Sequence, residues 1–366
     1  MPECQQIVTA ERHHEGDQPA DHIGPCGRQA GQLYAEHDHQ PVGGGRSGTD
    51  ADEPGNLAKH GGQAGKSVRD AGMDTLRQAR RVAICGDDFG MDAGIDHAIL
   101  RLIQARRLSA ASCMSSAPGF ATRGAELLNS GADIGLHLNL TERLGLADTP
   151  RPALRRLLWR AYSRQLDLQW VNQEICRQLD RFEDVLGQAP DYIDGHQHVH
   201  QLPGVRQLLL AELQRRYAGR RPWLRLTSVA ALDGLPWAAH IKAHAIASLG
   251  GHALAARARA LNWPSNRGFL GVYGFEGGRR GYARMLHHWL VHARDGDLLM
   301  CHPALAGEIE HAAQRKAEYE VLADPDLGGW LAVNGLSVQR MSVILAAAAW
   351  AAPGAGGARW RPATGR

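Results

Sequence analysis

Four spots in this chain carry residue types suited to hydrolysis or to holding a metal. The densest is DGHQHVH at 194–200, which sets Asp194, His196, His198 and His200 two residues apart just after an apolar run. In an extended chain a period of two puts all four on one face. Neutral imidazole nitrogens beside a carboxylate suit a borderline divalent ion. A solvated, histidine-rich loop would have the same composition, and the chain holds 19 histidines in all. The second spot is the acid pair Asp87 and Asp88 in DDFG. Near a cation, two adjacent carboxylates can divide their roles, one ligating and the other staying free as a base. His137 in GLHLNLT and His302 in MCHP complete the set. Taken singly, adjacent acids also serve as turn or cap residues, and a strand-end histidine also serves structure.

The elements that must position these residues follow from hydrophobic patterning. Short β-rich runs alternate with longer amphipathic ones, the signature of parallel strands and crossover helices. Strands are predicted over 81–85, 110–115, 133–137, 192–196, 223–227, 268–273 and 297–301, and helices over 96–107, 173–186, 205–217 and 282–293. About seven such units imply an α/β fold, a closed or nearly closed barrel. The DDFG, GLHLNLT, DGHQHVH and MCHP segments all fall at carboxyl ends of predicted strands, where the loops of a parallel α/β fold converge on one crevice.

Composition sets outer bounds. A chain of 366 residues with 44% hydrophobic content can bury a large core. Its net charge of +3, with 22% charged residues, is too balanced to imply a nucleic-acid partner. No run approaches the ~20 apolar residues of a membrane span, and the opening MPECQQIVTAERHHEGDQ lacks the basic and apolar regions of a signal peptide. The six cysteines are scattered without a CxxC pair, which fits a reducing compartment; a cytoplasmic location is expected. Residues 1–72 have no Phe or Trp and no apolar periodicity, so a disordered polar leader is expected. It is read either as an overlong gene start preceding a natural start at Met73 or as a metal-binding tail. It carries a net charge of −5, leaving +8 on the remainder. A single catalytic domain is expected over 73–345 and a disordered basic tail over 346–366.

Taken in order, DDFG, GLHLNLT, DGHQHVH, MCHP and the Arg315, Glu318, Leu322 run resemble the YdjC/ChbG-type carbohydrate deacetylases, which include the HpnK proteins. The resemblance runs from about residue 81 to 339. It implies a distorted TIM-like (β/α) barrel that removes the acetyl group from an N-acetylated sugar with one divalent metal ion. Carried over residue by residue, Asp88, His137 and His196 would hold the ion, Asp87 would be the general base and His302 the general acid. His198 and His200 would orient a ligand or touch substrate, and Asp194 would fix an imidazole tautomer. Arg225 and Tyr273, near strand ends, are candidate substrate contacts. The family points to Mg2+, whereas ligand softness admits Zn2+, Mn2+, Fe2+ or Co2+. Where relatives carry an Asn-Ala pair before the two acids, this chain has Cys85 and Gly86, with Cys85 expected to be a buried filler. Trp159, Trp170 and Trp263 are expected in core or helix packing, and the stretches 142–168 and 232–266 are expected to be specificity loops.

Two other functions fit the same residues. One keeps the metal and cleaves another bond, a phosphoester or a different amide. The other is a catalytically dead sugar-binding protein, which would need neither Asp87 nor His302. The oligomeric state is left open, a homodimer included.

Overall fold

The computed structural model describes residues 79–144, 151–230, 232 and 234–351. The expected leader and the end of the expected tail lie outside them. Among the described residues are eight strands: β1 Arg80–Phe89, β2 Ala110–Cys113, β3 Asp133–Leu138, β4 Tyr192–Gly195, β5 Trp223–Leu224, β6 Phe269–Leu270, β7 Asp297–Cys301 and β8 Leu336–Val338. Every pairing is parallel. The main path runs β5-β4-β3-β2-β1-β7-β6. β1 lies within it, between β2 and β7, and is buried from Val82 onward, as a strand covered on both faces is.

The sheet curls into a TIM-like barrel whose last seam is the weakest. Beyond β5, Val229 bridges Phe269 of β6, and Leu224 bridges Ser265. Between those bridges the Asn266 side chain takes the place of a ladder. Its Oδ1 accepts from Leu226 N at 2.7 Å and its Nδ2 donates to the Leu226 carbonyl at 2.9 Å. For that reason β5 and β6 are shorter than the runs 223–227 and 268–273 predicted.

β8 was not anticipated, because three residues give no readable alternation. It shares an edge of β1 with β2. The Val82 carbonyl accepts from Gln339 N and the Ile84 carbonyl from Ser109 N, while the Arg81 carbonyl, on the other edge, accepts from Gly296 N.

The predicted helices form at Ala93–Gln104, Leu168–Leu186, Val205–Arg216 and Gly278–His292. Leu168–Leu186 shows why. Asp167 caps its start by accepting from Trp170 N at 3.0 Å, Ile175, Leu179, Phe182 and Leu186 form its buried stripe, and Gly187 ends it at φ 65°. The stretches read as loops are partly helical instead, at Leu154–Tyr162, Trp237–Ile246 and His252–Ala260, since their alanine and leucine content favours helix. A last helix, Met341–Ala351, extends past the expected boundary at 345 for the same reason. Among the described residues no helix is long and apolar enough to cross a membrane.

Candidate active site

In a regular strand Asp87 and Asp88 would face opposite sides. β1 avoids this by slipping register against β2 between Gly86 and Phe89, with Asp88 in the left-handed region at φ 73°. Both carboxylates are then buried and turned toward one centre. His137 Nε2 lies 3.5 Å from Asp88 Oδ1 and 4.0 Å from Asp87 Oδ2.

The His137 ring is set by its neighbour across the sheet. β3 and β4 pair with His137 opposite Asp194, and Nδ1 sits 2.6 Å from Asp194 Oδ1. With Nδ1–H donating there, Nε2 faces the acids. Asp194 is itself fixed by Ser112 Oγ, which donates at 2.6 Å, and by Arg225 at 2.7 Å. Gly135 makes room beneath: a Cβ there would fall 2.3 Å from the Tyr192 ring, which stacks on Trp223 at 4.1 Å.

The histidine tetrad does not stay on one face. β4 stops at Gly195, and 196–201 turn into a short 3-10 segment in which Gln197 and His198 take φ of 53° and 60°. His196 Nδ1 reaches within 3.1 Å of Asp88 Oδ1, with Nε2 3.8 Å from Glu142 Oε1. His198 stands edge-on to Phe269, and burial holds its pKa well below the usual histidine value. His200, fully buried, donates from Nε2 to the Arg225 carbonyl at 2.9 Å, and burial pushes its pKa down to about 4. One imidazole of the three faces the acids; the other two pack the barrel end.

Arg225 was read as a candidate substrate contact, but its side chain is fully buried beneath the centre. Its NH1 and NH2 donate to Asp87 Oδ2 and Oδ1 at 2.6 and 2.7 Å, a two-pronged clamp. Burial alone would raise the Asp87 pKa; the Arg225 charge and hydrogen bonds overcome this and hold it well below the usual carboxylate range. Asp88 is likewise held low against burial, by His137, His196 and Arg315, whose NH2 donates to Asp88 Oδ2 at 2.7 Å. Cys85 packs between Asp87 and Tyr192 Oη, and burial pushes its thiol up, away from nucleophilic use.

His302 follows β7 directly and closes the far side. Its Nε2 is 4.0 Å from Asp87 Oδ2, and its backbone N–H donates to Glu318 Oε2 at 2.6 Å. Burial pushes its pKa down to about 4 against the pull of Asp88 and Asp87. Tyr273, the other candidate contact, spends its hydroxyl on Glu318 Oε1 at 2.5 Å. The reading from sequence had given Glu318 no role, although Arg315 and Glu318 are spaced to share one inward helix face. Ser112 and Glu142 carried no signal of their own.

Asp88, His137 and His196 can hold a metal ion. Ligand atoms ~2.0–2.2 Å from one ion lie roughly 3.0–3.5 Å apart, and the two nitrogens stand 3.5 and 3.1 Å from Asp88 Oδ1. The field agrees. Burial alone would lower the His137 pKa, yet Asp194 and Asp87 drive it up to about 10, so the centre favours added positive charge. A second grouping, Asp87, His137 and Asp194, fits less well, since Arg225 already occupies both carboxylates and Asp194 holds the inner nitrogen of His137.

Fold and site together define a TIM-like (β/α) barrel with an Asp-His-His centre at the carboxyl ends of its strands. The YdjC-like protein family model matches residues 81–333, and the chain belongs to that family. It is 33% identical to a human carbohydrate deacetylase over 175 residues, 44% of this chain and 53% of that protein. Against a mouse carbohydrate deacetylase it is 29% identical over 296 residues, 70% of this chain and 93% of that one. The chain thus spans about half the length of several curated relatives it matches. A crystal structure from Enterococcus faecalis V583, described as a proposed cellobiose-phosphate cleavage protein, has the same fold, with a TM-score of 0.53 at 17% identity, covering 73% of this chain and 99% of that one.

Proposed function

We propose that the protein is a metal-dependent hydrolase that removes the acetyl group from an N-acetylated amino sugar, releasing acetate and the free amine. The observation that carries this reading is the division of the acid pair. Asp88 faces the two imidazoles, while Asp87 stands beside them, held ionised by Arg225 and 4.0 Å from His302 Nε2. Pure binding would use neither Asp87 nor His302. The relatives described as carbohydrate deacetylases supply the substrate class.

Asp88, His137 and His196 would hold the ion. When bound, it supplies Lewis acidity, polarising the acetyl carbonyl and acidifying a water. Two nitrogens and one carboxylate suit a transition-type ion such as Zn2+ better than Mg2+, which prefers oxygen ligands. Asp87, held as a carboxylate, would take the proton of the attacking water as its oxygen closes on the acetyl carbon, the ion supplying the acidity that so weak a base requires. His302 is neutral in the free protein. Negative charge developing on the acetyl oxygen would raise its proton affinity, so that the proton Asp87 has taken from the water would pass to His302 Nε2, 4.0 Å away, and from there to the departing amine as the C–N bond breaks. Arg225 keeps Asp87 in place and charged, and Asp194 keeps the His137 ring from turning.

The test is acetate release from a panel of N-acetylated amino sugars by the purified protein, with its metal measured by elemental analysis. Acetate released in proportion to metal content supports the reading. Phosphate release from phosphoesters without any acetate overturns it.

A further inference from the structure

The two imidazoles of the Asp-His-His centre face it through different nitrogens. His137 turns Nε2 toward Asp88 and gives Nδ1 to Asp194. His196 does the reverse: Nδ1 lies 3.1 Å from Asp88 Oδ1, and Nε2 stands 3.8 Å from Glu142 Oε1. A neutral imidazole carries one proton, so a ring that offers its Nδ1 lone pair to an ion keeps that proton on Nε2. Glu142 is the carboxylate beside it.

The turn after β3 is built to put Glu142 there. Asn139 is fully buried, and its side chain bonds both backbone groups of Glu142. Oδ1 accepts from Glu142 N at 2.8 Å and Nδ2 donates to the Glu142 carbonyl at 2.7 Å. Asn139 is fixed in its turn by Gln178, a fully buried residue of the helix Leu168–Leu186. Gln178 Oε1 accepts from Asn139 N at 2.9 Å, and Nε2 donates to the Asn139 carbonyl at 2.7 Å. Arg151 NH1 donates to the same carbonyl at 2.5 Å. Asn139 Oδ1 also accepts from Thr141 N at 3.0 Å, the two-residue reach of an ordinary Asx turn. That bond is enough to end the strand, and the pair of bonds to Glu142 goes further. It pins the backbone of a residue whose side chain is 39% exposed and free to swing.

We propose that Glu142 is a positioning residue for the metal centre: it accepts the Nε2 proton of His196 and so holds that ring with Nδ1 toward the ion. Asp194 does the same for His137 from the opposite nitrogen. The inference rests on the site of Asp88, His137 and His196 proposed above and is independent of the acetyl substrate. At 3.8 Å the pair stands about 1 Å outside the length of a charge-assisted hydrogen bond, a gap that rotation of the Glu142 side chain closes. A carboxylate on the far nitrogen fixes the tautomer and strengthens the near nitrogen as a donor to the ion. One ligand ring is thus held from within the sheet, by β4, and the other from the loop that follows β3.

Zn2+ affinity of the full chain, measured without substrate by competition with a chelator of known affinity, tests this. Glu142→Ala should bind Zn2+ about tenfold more weakly than wild type, or weaker still. Glu142→Gln, whose amide oxygen still accepts from Nε2–H, should fall between the two. Asn139 grips only the backbone at 142, so both variants keep the turn, and the chain's other histidines are the same in all three proteins. Nitrogen NMR of the histidine-labelled, Zn2+-loaded protein should show His196 metallated at Nδ1 and protonated at Nε2, with His137 the reverse. An alanine variant with wild-type Zn2+ affinity, or His196 metallated at Nε2, overturns the proposal and leaves the metal site standing. A wild-type chain that takes up no Zn2+ at His137 and His196 overturns the metal site, and the proposal with it.

Discussion

Replacing Glu318 by Gln should make the protein more stable at alkaline pH and leave it nearly unchanged under acid. The carboxyl is fully buried between the Tyr273 hydroxyl and the His302 backbone N–H. Burial, the largest influence, outweighs both hydrogen bonds and the nearby Arg315, raising its pKa from 4.5 to about 7. In the unfolded chain the group ionises near 4.5, so between that pH and about 7 the folded state binds more protons than the unfolded one. Stability therefore falls as pH rises through this window. The full loss is about 3 kcal/mol, at roughly 1.4 kcal/mol per pH unit separating the two values. Glutamine keeps a carbonyl for the His302 N–H and does not ionise. Urea unfolding of both proteins from pH 5 to pH 8, a span chosen to bracket the window, should show the variant gaining on wild type by about 2–4 kcal/mol as pH increases. A difference that stays flat with pH, or a variant that loses ground on going alkaline, would refute the reasoning, because Glu318 would then be ionised at no cost in the fold.

Further outcomes follow from the same geometry. Asp87→Asn should retain bound metal by elemental analysis and lose about 100- to 10,000-fold in acetate release; full activity in this variant would place the base elsewhere. Asp194→Asn should loosen the His137 ring and weaken metal affinity about 10- to 100-fold, measured by competition with a chelator of known affinity. Arg225→Met strands Asp87 as a buried carboxylate without its guanidinium, takes one partner from Asp194 and should cost at least about 3–5 kcal/mol in urea unfolding; a variant as stable as wild type would mean that the clamp does not hold the fold.

The residues that face the centre were legible because strand ends are legible. Apolar runs locate β1, β3, β4 and β7, and Asp87, Asp88, His137, His196 and His302 stand where those runs stop. What the backbone does after a strand was not legible. Nothing in DGHQHVH announces that Gly195 ends β4, and the coil that follows buries His200 while leaving His196 at the centre. The register slip that lets two consecutive aspartates share one side is equally silent, since a bulge depends on what the neighbouring strand presents. Arg225 and Glu318 were seen as residues, but their roles depend on partners 138 and 16 positions away. The seam between β5 and β6 was overestimated because a side chain, Asn266, makes bonds that strand propensity assigns to backbone.

The two guanidinium groups that hold the acid pair come from far along the chain. Arg225 stands 138 residues from Asp87, and Arg315 stands 227 residues from Asp88. Neither contact can form until the sheet has curled and the last helices have come in against its first strand, and such long-range closures are slow to form. Before that, the carboxylates sit side by side with only each other's charge for company and have every reason to stay in water. The candidate centre thus belongs to the completed circuit of the barrel, and it doubles as the latch that ties the first strand to elements far along the chain.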